Sequence, residues 1–182
     1  MHRVLALVLA GALLAGCAHR GIPAPDFTLT GDNGAPWTLS AHHGKTVALF
    51  FGFTHCTDTC PDTLAKLAAS LRADHANAND AEIAFVTIDP QRDTPAVMHA
   101  YKRRFSGAPI VGLTGTQAQI AAVENLYHVW SKREPAPRGG SGYDEVHSAF
   151  TFLIDRDGNE RMIHNDDDPQ KDFAADLATL LR

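Results

Sequence analysis

The stretch Phe50-Phe51-Gly52-Phe53-Thr54-His55-Cys56-Thr57-Asp58-Thr59-Cys60-Pro61 decides how this chain is read. The apolar run Val47–Phe53 that enters it is short and bounded by Gly44 and by polar residues, which predicts a buried strand. Two cysteines follow, three residues apart, with Pro61 directly after the second. Proline suits the first turn of a helix, where its missing N–H leaves nothing unsatisfied. Leu64, Leu67, Ala68 and Leu71 then recur at helical spacing. The order is strand, dithiol loop, helix. It places two sulfurs at the carboxyl edge of a sheet beside a helix amino terminus, where the dipole favours thiolate. Thiolate is the form that binds metals and attacks disulfides.

Upstream of this stretch, Met1–Gly16 reads as an export signal. His2 and Arg3 are a short basic start, and Val4–Leu14 is apolar but too short to span a bilayer. It ends in Leu14-Ala15-Gly16-Cys17, which resembles the bacterial lipobox, whose cysteine becomes the lipid-bearing first mature residue. The expected organisation is a signal over 1–16, a lipid-anchored linker over 17–25 and one domain over 26–182. The mature protein is then anchored to a membrane without spanning it, on the oxidising, periplasmic side. The domain opens with a hairpin: Asp26–Leu29, turn residues Gly31-Asp32-Asn33-Gly34, and Trp37–Leu39 returning.

Downstream, Glu82–Ile88 predicts a second buried strand, and Asp89-Pro90-Gln91-Arg92-Asp93-Thr94-Pro95 a turn leading into a helix. Pro95 falls at its first position and Asp93 or Thr94 at its cap. Ile110–Leu113 is a short strand. A helix follows with Ile120, Val123 and Leu126 on one face, and then Tyr127–Ser131 is extended. Glu134–Gly142, with two prolines and three glycines, reads as a mobile loop. Ala149–Ile154 and Arg161–His164 flank the turn Asp155–Asn159, and Pro169 starts a last amphipathic helix. Together these predict an α/β fold with one mixed central sheet flanked by helices and an N-terminal β-hairpin.

Composition narrows the function classes. The 182 residues suit one domain and a leader, and 45% apolar with 20% charged residues describes a globular chain. The net charge of -5 and the lack of a basic stripe argue against a nucleic-acid partner. Of three cysteines, only Cys56 and Cys60 fall within the domain. One pair is too few for a disulfide scaffold. A plain structural staple is the simplest reading, but closing so short a loop gains little entropy, so a redox or metal site is favoured.

Four stretches resemble the Sco/SenC family of thioredoxin-like copper proteins. They are Gly52–Pro61, Val86–Pro95, Gly112-Leu113-Thr114-Gly115 and Val146-His147-Ser148, in the family's order from about Pro25 onward. Many members carry proline after the first cysteine, where this chain has Thr57. The resemblance implies a thioredoxin-like fold and copper, as Cu(I) or Cu(II), bound by Cys56, Cys60 and His147. It implies delivery of copper to the binuclear copper centre of cytochrome c oxidase, or maintenance of its thiols. The expected partners are an oxidase copper subunit or another copper chaperone. The alternative is a thiol–disulfide oxidoreductase or redox sensor acting through the Cys56/Cys60 dithiol.

The residue chemistry is compatible with that reading. Two thiolates and an imidazole form a soft set that suits copper, whereas structural zinc takes a fourth protein ligand. Nine histidines remain after the signal, so most are bystanders. His42, His43, His75 and His99 sit in polar contexts, and His128 and His164 at expected strand positions. His147 follows the Gly-rich loop, whose low backbone stiffness reads as a movable arm. His55, Asp58, Asp89, Arg92 and Asp93 are candidate site-shaping residues. The Asp89–Asp93 loop follows a strand parallel to the one before the dithiol, and so ends at the same sheet edge. Turn and cap chemistry alone would account for Asp93, and turn preference for Asp58.

Overall fold

The computed structural model describes residues 21–74, 79–105, 107–135 and 142–182. The expected signal, Cys17, His75 and Gly139–Ser141 lie outside the described residues.

The core is a strand that no solvent reaches. Strand β4 (Thr46–Gly52) is buried at every position, which is why it reads as an unbroken apolar run rather than an alternating one. It lies between β5 (Ala81–Thr87), parallel to it, and β9 (Phe150–Ile154), antiparallel. Helix α1 (Thr59–Ala73) makes the crossover between β4 and β5. Helix α2 (Pro95–Lys102) makes the next one, to β6 (Ile110–Thr114), also parallel.

Among the described residues the main sheet has eight strands, in the order β1-β10-β9-β4-β5-β6-β2-β3. The expected opening hairpin is β2 (Thr28–Gly31) with β3 (Pro36–Thr38). On the other side, β10 (Asn159–Asn165) pairs with β9 across the Asp155–Asn159 turn. The short β1 (Ile22–Pro23) pairs with β10, and the Tyr127 hydroxyl donates to the Pro25 carbonyl at 2.7 Å. The second half of the expected linker is therefore built into the fold. Helix α3 (Gln117–Leu126) carries a full capping box between Thr116 and Gln119, and α4 (Gln170–Leu181) closes the chain against α1.

Two expectations shift, and between them one stated alternative is decided. Helix α1 begins at Thr59, so Pro61 stands third in the helix and Cys60 second. Thr94, not Asp93, caps α2 by accepting from the Val97 N–H. The segment after α3 is not one loop: β7 (Ser131–Pro135) and β8 (Tyr143–His147) pair as a separate two-stranded ribbon. Glu134 and Pro135 thus lie in a strand, and the extended stretch begins at Ser131 rather than Tyr127.

Candidate functional site

The dithiol is shaped by the way β4 meets α1. After Gly52 and Phe53 the chain turns, and the amino terminus of α1 comes back over the strand end. A Cβ on Gly52 would lie 2.8 Å from the Cys60 sulfur, so glycine is what admits that sulfur to the strand end. Cys60 is fully buried and Cys56 is half-buried. Both are free thiols. The Cys60 N–H donates to the Cys56 sulfur at 3.3 Å.

These surroundings separate the two sulfurs chemically. The Cys60 thiol donates to Cys56, and although burial opposes it, the Cys60 and Asp58 N–H groups and nearby His147 help bring the Cys56 thiol down to about 6. Cys60 is pushed strongly upward, first by that same hydrogen bond, then by burial and by the charge on Cys56. The pair therefore holds one thiolate, outward-facing, and one inner thiol.

Asp93 fixes the loop that carries them. Its carboxylate has no solvent exposure and accepts from the Thr54 N–H at 2.9 Å, the Thr54 hydroxyl at 2.6 Å and the Thr87 hydroxyl at 2.6 Å. The ends of β4 and β5 are thereby tied through one buried group, far more than turn chemistry. His55 is 53% exposed, with its Nδ1 3.2 Å from the Thr54 hydroxyl and 3.9 Å from Asp93. Asp58 sits at the α1 cap position without a side-chain capping bond.

His147 arrives from the other direction. It is the last residue of β8, paired with Ser131, just before the chain enters β9. Its Nδ1 lies 2.9 Å from the Ser148 carbonyl; a carbonyl only accepts, so Nδ1 carries a proton, and in the neutral ring Nε2 is the nitrogen with the lone pair. Nε2 lies 3.8 Å from the Cys60 sulfur, and the ring stands edge-on to Phe53 at 6.0 Å. The ring thus faces the dithiol from the end of a paired strand, not from within a loop. Among the described residues, no three His, Cys, Asp or Glu side chains are already arranged to hold a metal ion.

The ribbon is pinned by a clamp. Asp89, fully buried, pairs with the Arg92 Nε and accepts from the Tyr143 hydroxyl at 2.9 Å; Arg133 approaches it at 3.5 Å. Arg92 also donates to the Tyr143 carbonyl at 3.1 Å. The Tyr143 ring is flanked by the Arg92 and Arg133 guanidinium groups, with their central carbons 4.0 and 3.8 Å from its centroid. Arg133 pairs with Glu145 at 2.9 Å. Asp89 and Arg92 are thus site-shaping through the ribbon. Tyr143, Arg133 and Glu145 do the same work but were not expected. The Tyr143–His147 stretch, mirrored by Ser131–Pro135 across a Gly/Pro segment, was the available signal for a hairpin.

The open space beside the dithiol is a cleft of about 460 Å³, lined by Cys56, His55 and His147 and by the carboxylate-bearing Asp58, Asp144, Glu145 and Asp166. Among the described residues no lysine or arginine lines it, so the field of its carboxylates favours cations. His164 lies elsewhere: it is buried in β10 between Asp168 at 3.2 Å and Asp176 at 3.1 Å. His42 pairs with Glu82, and His99 with Asp32, both away from the site. His128 takes a left-handed backbone conformation rather than a strand position.

The profile of the SCO1/SenC family matches residues 19–182. A SCO2-like protein of Rickettsia prowazekii is 35% identical over 72% of this chain and 64% of its own length. The chain thus spans less than two thirds of that relative. Among solved structures, Arabidopsis thaliana ScoI with copper bound is 30% identical and superposes with a TM-score of 0.79 over 87% of this chain and 98% of that one. Bradyrhizobium japonicum ScoI with copper bound is 36% identical, with a TM-score of 0.75 over 87% and 99%.

Proposed function

This chain belongs to the SCO1/SenC family, and we propose that it is a membrane-anchored copper metallochaperone serving assembly of the binuclear copper centre of cytochrome c oxidase. The observation that carries the reading is the convergence of the Cys56 thiolate, the Cys60 sulfur and the free Nε2 of His147, 3.8 Å from Cys60. A soft ion could be held there by the two sulfurs and this nitrogen. Two sulfurs and one imidazole suit both oxidation states of copper, the sulfurs favouring Cu(I) and the added nitrogen Cu(II). The carboxylate-lined cleft draws a cationic cargo to the site. Copper is here a cargo passed to a recipient, such as an oxidase copper subunit or another chaperone.

The anchor belongs to the same reading. Cys17 is the lipid site and residues 1–16 the cleaved signal, with the domain on the periplasmic side. Among the described residues no helix is long and apolar enough to cross a membrane. Intact-mass analysis of native protein should find Cys17 first and acylated; an unmodified Cys17 removes the anchor from the proposal.

A second reading has its own observation. Cys56 is lowered to about 6 beside a protonated partner thiol, the arrangement a thiol–disulfide exchange site requires. One titration separates the two. Reduced residues 21–182 should bind one copper per chain, with a thiolate-to-Cu(II) charge-transfer band that Cys56→Ala and Cys60→Ala each abolish. His147→Ala should weaken Cu(II) far more than Cu(I). The Cys56–Cys60 disulfide should block uptake, because it consumes the same sulfurs. Equal uptake before and after reduction would sink the dithiol site, and dithiol exchange activity without stable copper would favour the oxidoreductase.

A further inference from the structure

Away from the dithiol, three of the large apolar side chains that stand open to solvent among the described residues meet at one place: Ile22 at 75%, Leu126 at 45% and Ile163 at 52%. They come from β1, the end of α3 and β10, yet all border one groove of about 450 Å³. The groove is backed by the aromatic rings of Tyr127, Phe150 and Phe152. Its charged or titratable neighbours are Glu160 and His128. Single exposed apolar residues are ordinary, but a shared groove with an aromatic back is a contact surface.

Its position indicates what it contacts. Ile22 is held to the domain by pairing with Glu160 in β10. Only Ala18, His19, Arg20 and Gly21 separate it from Cys17. An extended chain advances at most about 3.6 Å per residue, so Ile22 lies no more than about 18 Å from the Cys17 backbone. A bilayer holding an acyl chain on Cys17 is therefore within reach of this face. His19 and Arg20 add basic charge that anionic headgroups attract. We propose that the groove bordered by Ile22, Leu126 and Ile163 is a membrane-contact face, seated on the bilayer surface by the anchor at Cys17. This rests on the reading of Cys17 as the lipid site.

The same placement leaves the dithiol free. The Asp155–Asn159 turn, beside which β1 attaches, lies at the amino end of β4, since Ile154 pairs with Val47. The dithiol lies beyond the carboxyl end, roughly 20 Å away along the strand. The groove runs from that end as far as Phe150 but shares no lining residue with the dithiol cleft, so contact at the groove does not itself fill the cleft.

The test supplies the anchor chemically. The mature chain 17–182, with Cys56 and Cys60 oxidised to the disulfide, is coupled at Cys17 to a single-chain alkyl maleimide. One acyl chain binds vesicles only marginally, so added contact is readable as partition. On phosphatidylcholine–phosphatidylglycerol vesicles, the native sequence should partition about tenfold better than Ile22→Ser/Leu126→Ser/Ile163→Ser, from the apolar area each contributes. Leu126→Ser alone, at a helix end, should lose about threefold and guards against misfolding of the triple variant. Equal partition of all three chains overturns the proposal. Sedimentation of the uncoupled chain should show monomers; a dimer lost in the triple variant would overturn it in favour of a second copy. Absence of native lipid on Cys17 would refute the anchor reading but leave this partition result intact, so the two failures are distinguishable.

Discussion

The two halves of the site are held by opposite means. The dithiol half is rooted in β4, which has no exposed residue, and its loop is tied down by Asp93, which has no exposure either. The histidine half rides on a two-stranded ribbon that joins no larger sheet. Two strands alone are marginal in water, so the pose of His147 depends on the clamp at Asp89, Arg92, Tyr143 and Arg133. Only the outer side of that clamp reaches solvent: Asp89 is fully buried, whereas the Arg133 side chain is 43% exposed. A fixed pair of sulfurs with one separately held nitrogen can bind a cargo tightly and still release it by surrendering one ligand. Local stability that differs between adjoining elements gives this behaviour its physical basis.

The severest way to break the contrast is to loosen the fixed half. Asp93→Ala strands three donors, the Thr54 N–H and the Thr54 and Thr87 hydroxyls, at the junction of β4 and β5. The expected loss is about 3 kcal/mol in denaturant unfolding, accompanied by loss of the copper charge-transfer band. A change within about 0.5 kcal/mol would mean Asp93 does not set the loop.

Next in size is the clamp itself. Arg92→Ala removes the ion pair to Asp89 and the bond to the Tyr143 carbonyl. The ribbon should open more often by about 2 kcal/mol, near thirtyfold in hydrogen exchange of β8 amides, while β4 amides stay as they were. Cu(II) affinity should fall with it and Cu(I) affinity should hold, since only the nitrogen is displaced. Equal losses in both oxidation states would show that the two halves are one unit.

Most of the fixed half was legible in the sequence, and most of the movable half was not. An unbroken apolar run, a cysteine pair and a proline define a buried strand and a helix start by local chemistry alone. The error over Pro61, third in α1 rather than first, is a boundary error of the usual kind. Asp93 was named as site-shaping only by the place of its loop, because a carboxylate before a helix also reads as a cap, and only tertiary structure shows Thr54 and Thr87 converging on it. The ribbon escaped because Lys132, Arg133, Glu134, Asp144 and Glu145 look like a solvated loop; their pairing is visible only once Arg92 and Asp89 are set against them. His147 itself rested on resemblance to the Sco/SenC family. Locally, only the Gly-rich loop before it set it apart from the other histidines, and by a small margin.

A pH profile sharpens the contrast from the sulfur side. Cys56 is lowered to about 6, chiefly by the Cys60 thiol, so it is deprotonated above that pH and protonated below it. Iodoacetamide alkylation of Cys56 should therefore rise through pH 6 and level off before pH 8. Cys60→Ala removes the largest cause but leaves the backbone donors, so the midpoint should move upward toward the ordinary thiol range. Well below both midpoints, at pH 5, the rate should drop about tenfold for each unit the midpoint rises. An unmoved midpoint would assign the effect to the helix terminus instead.

The smallest expected effect is the most discriminating. Tyr143→Phe removes one hydroxyl, which donates to Asp89 at 2.9 Å, and keeps the ring between Arg92 and Arg133. Asp89 retains its pairing with Arg92, so no buried charge is left alone. The loss should be about 1 kcal/mol, read as roughly fivefold faster exchange at β8 amides. Global unfolding should scarcely change, because the ribbon opens without disturbing β4. If the clamp works mainly by stacking, Tyr143→Phe will keep most of it and Tyr143→Ala will not. If the hydroxyl–carboxylate bond is what matters, the two variants will behave alike. Exchange at β8 that is unaltered in both would show that the ribbon is held by its own ladder and by Glu145–Arg133, and His147 would then be as fixed as the sulfurs it faces.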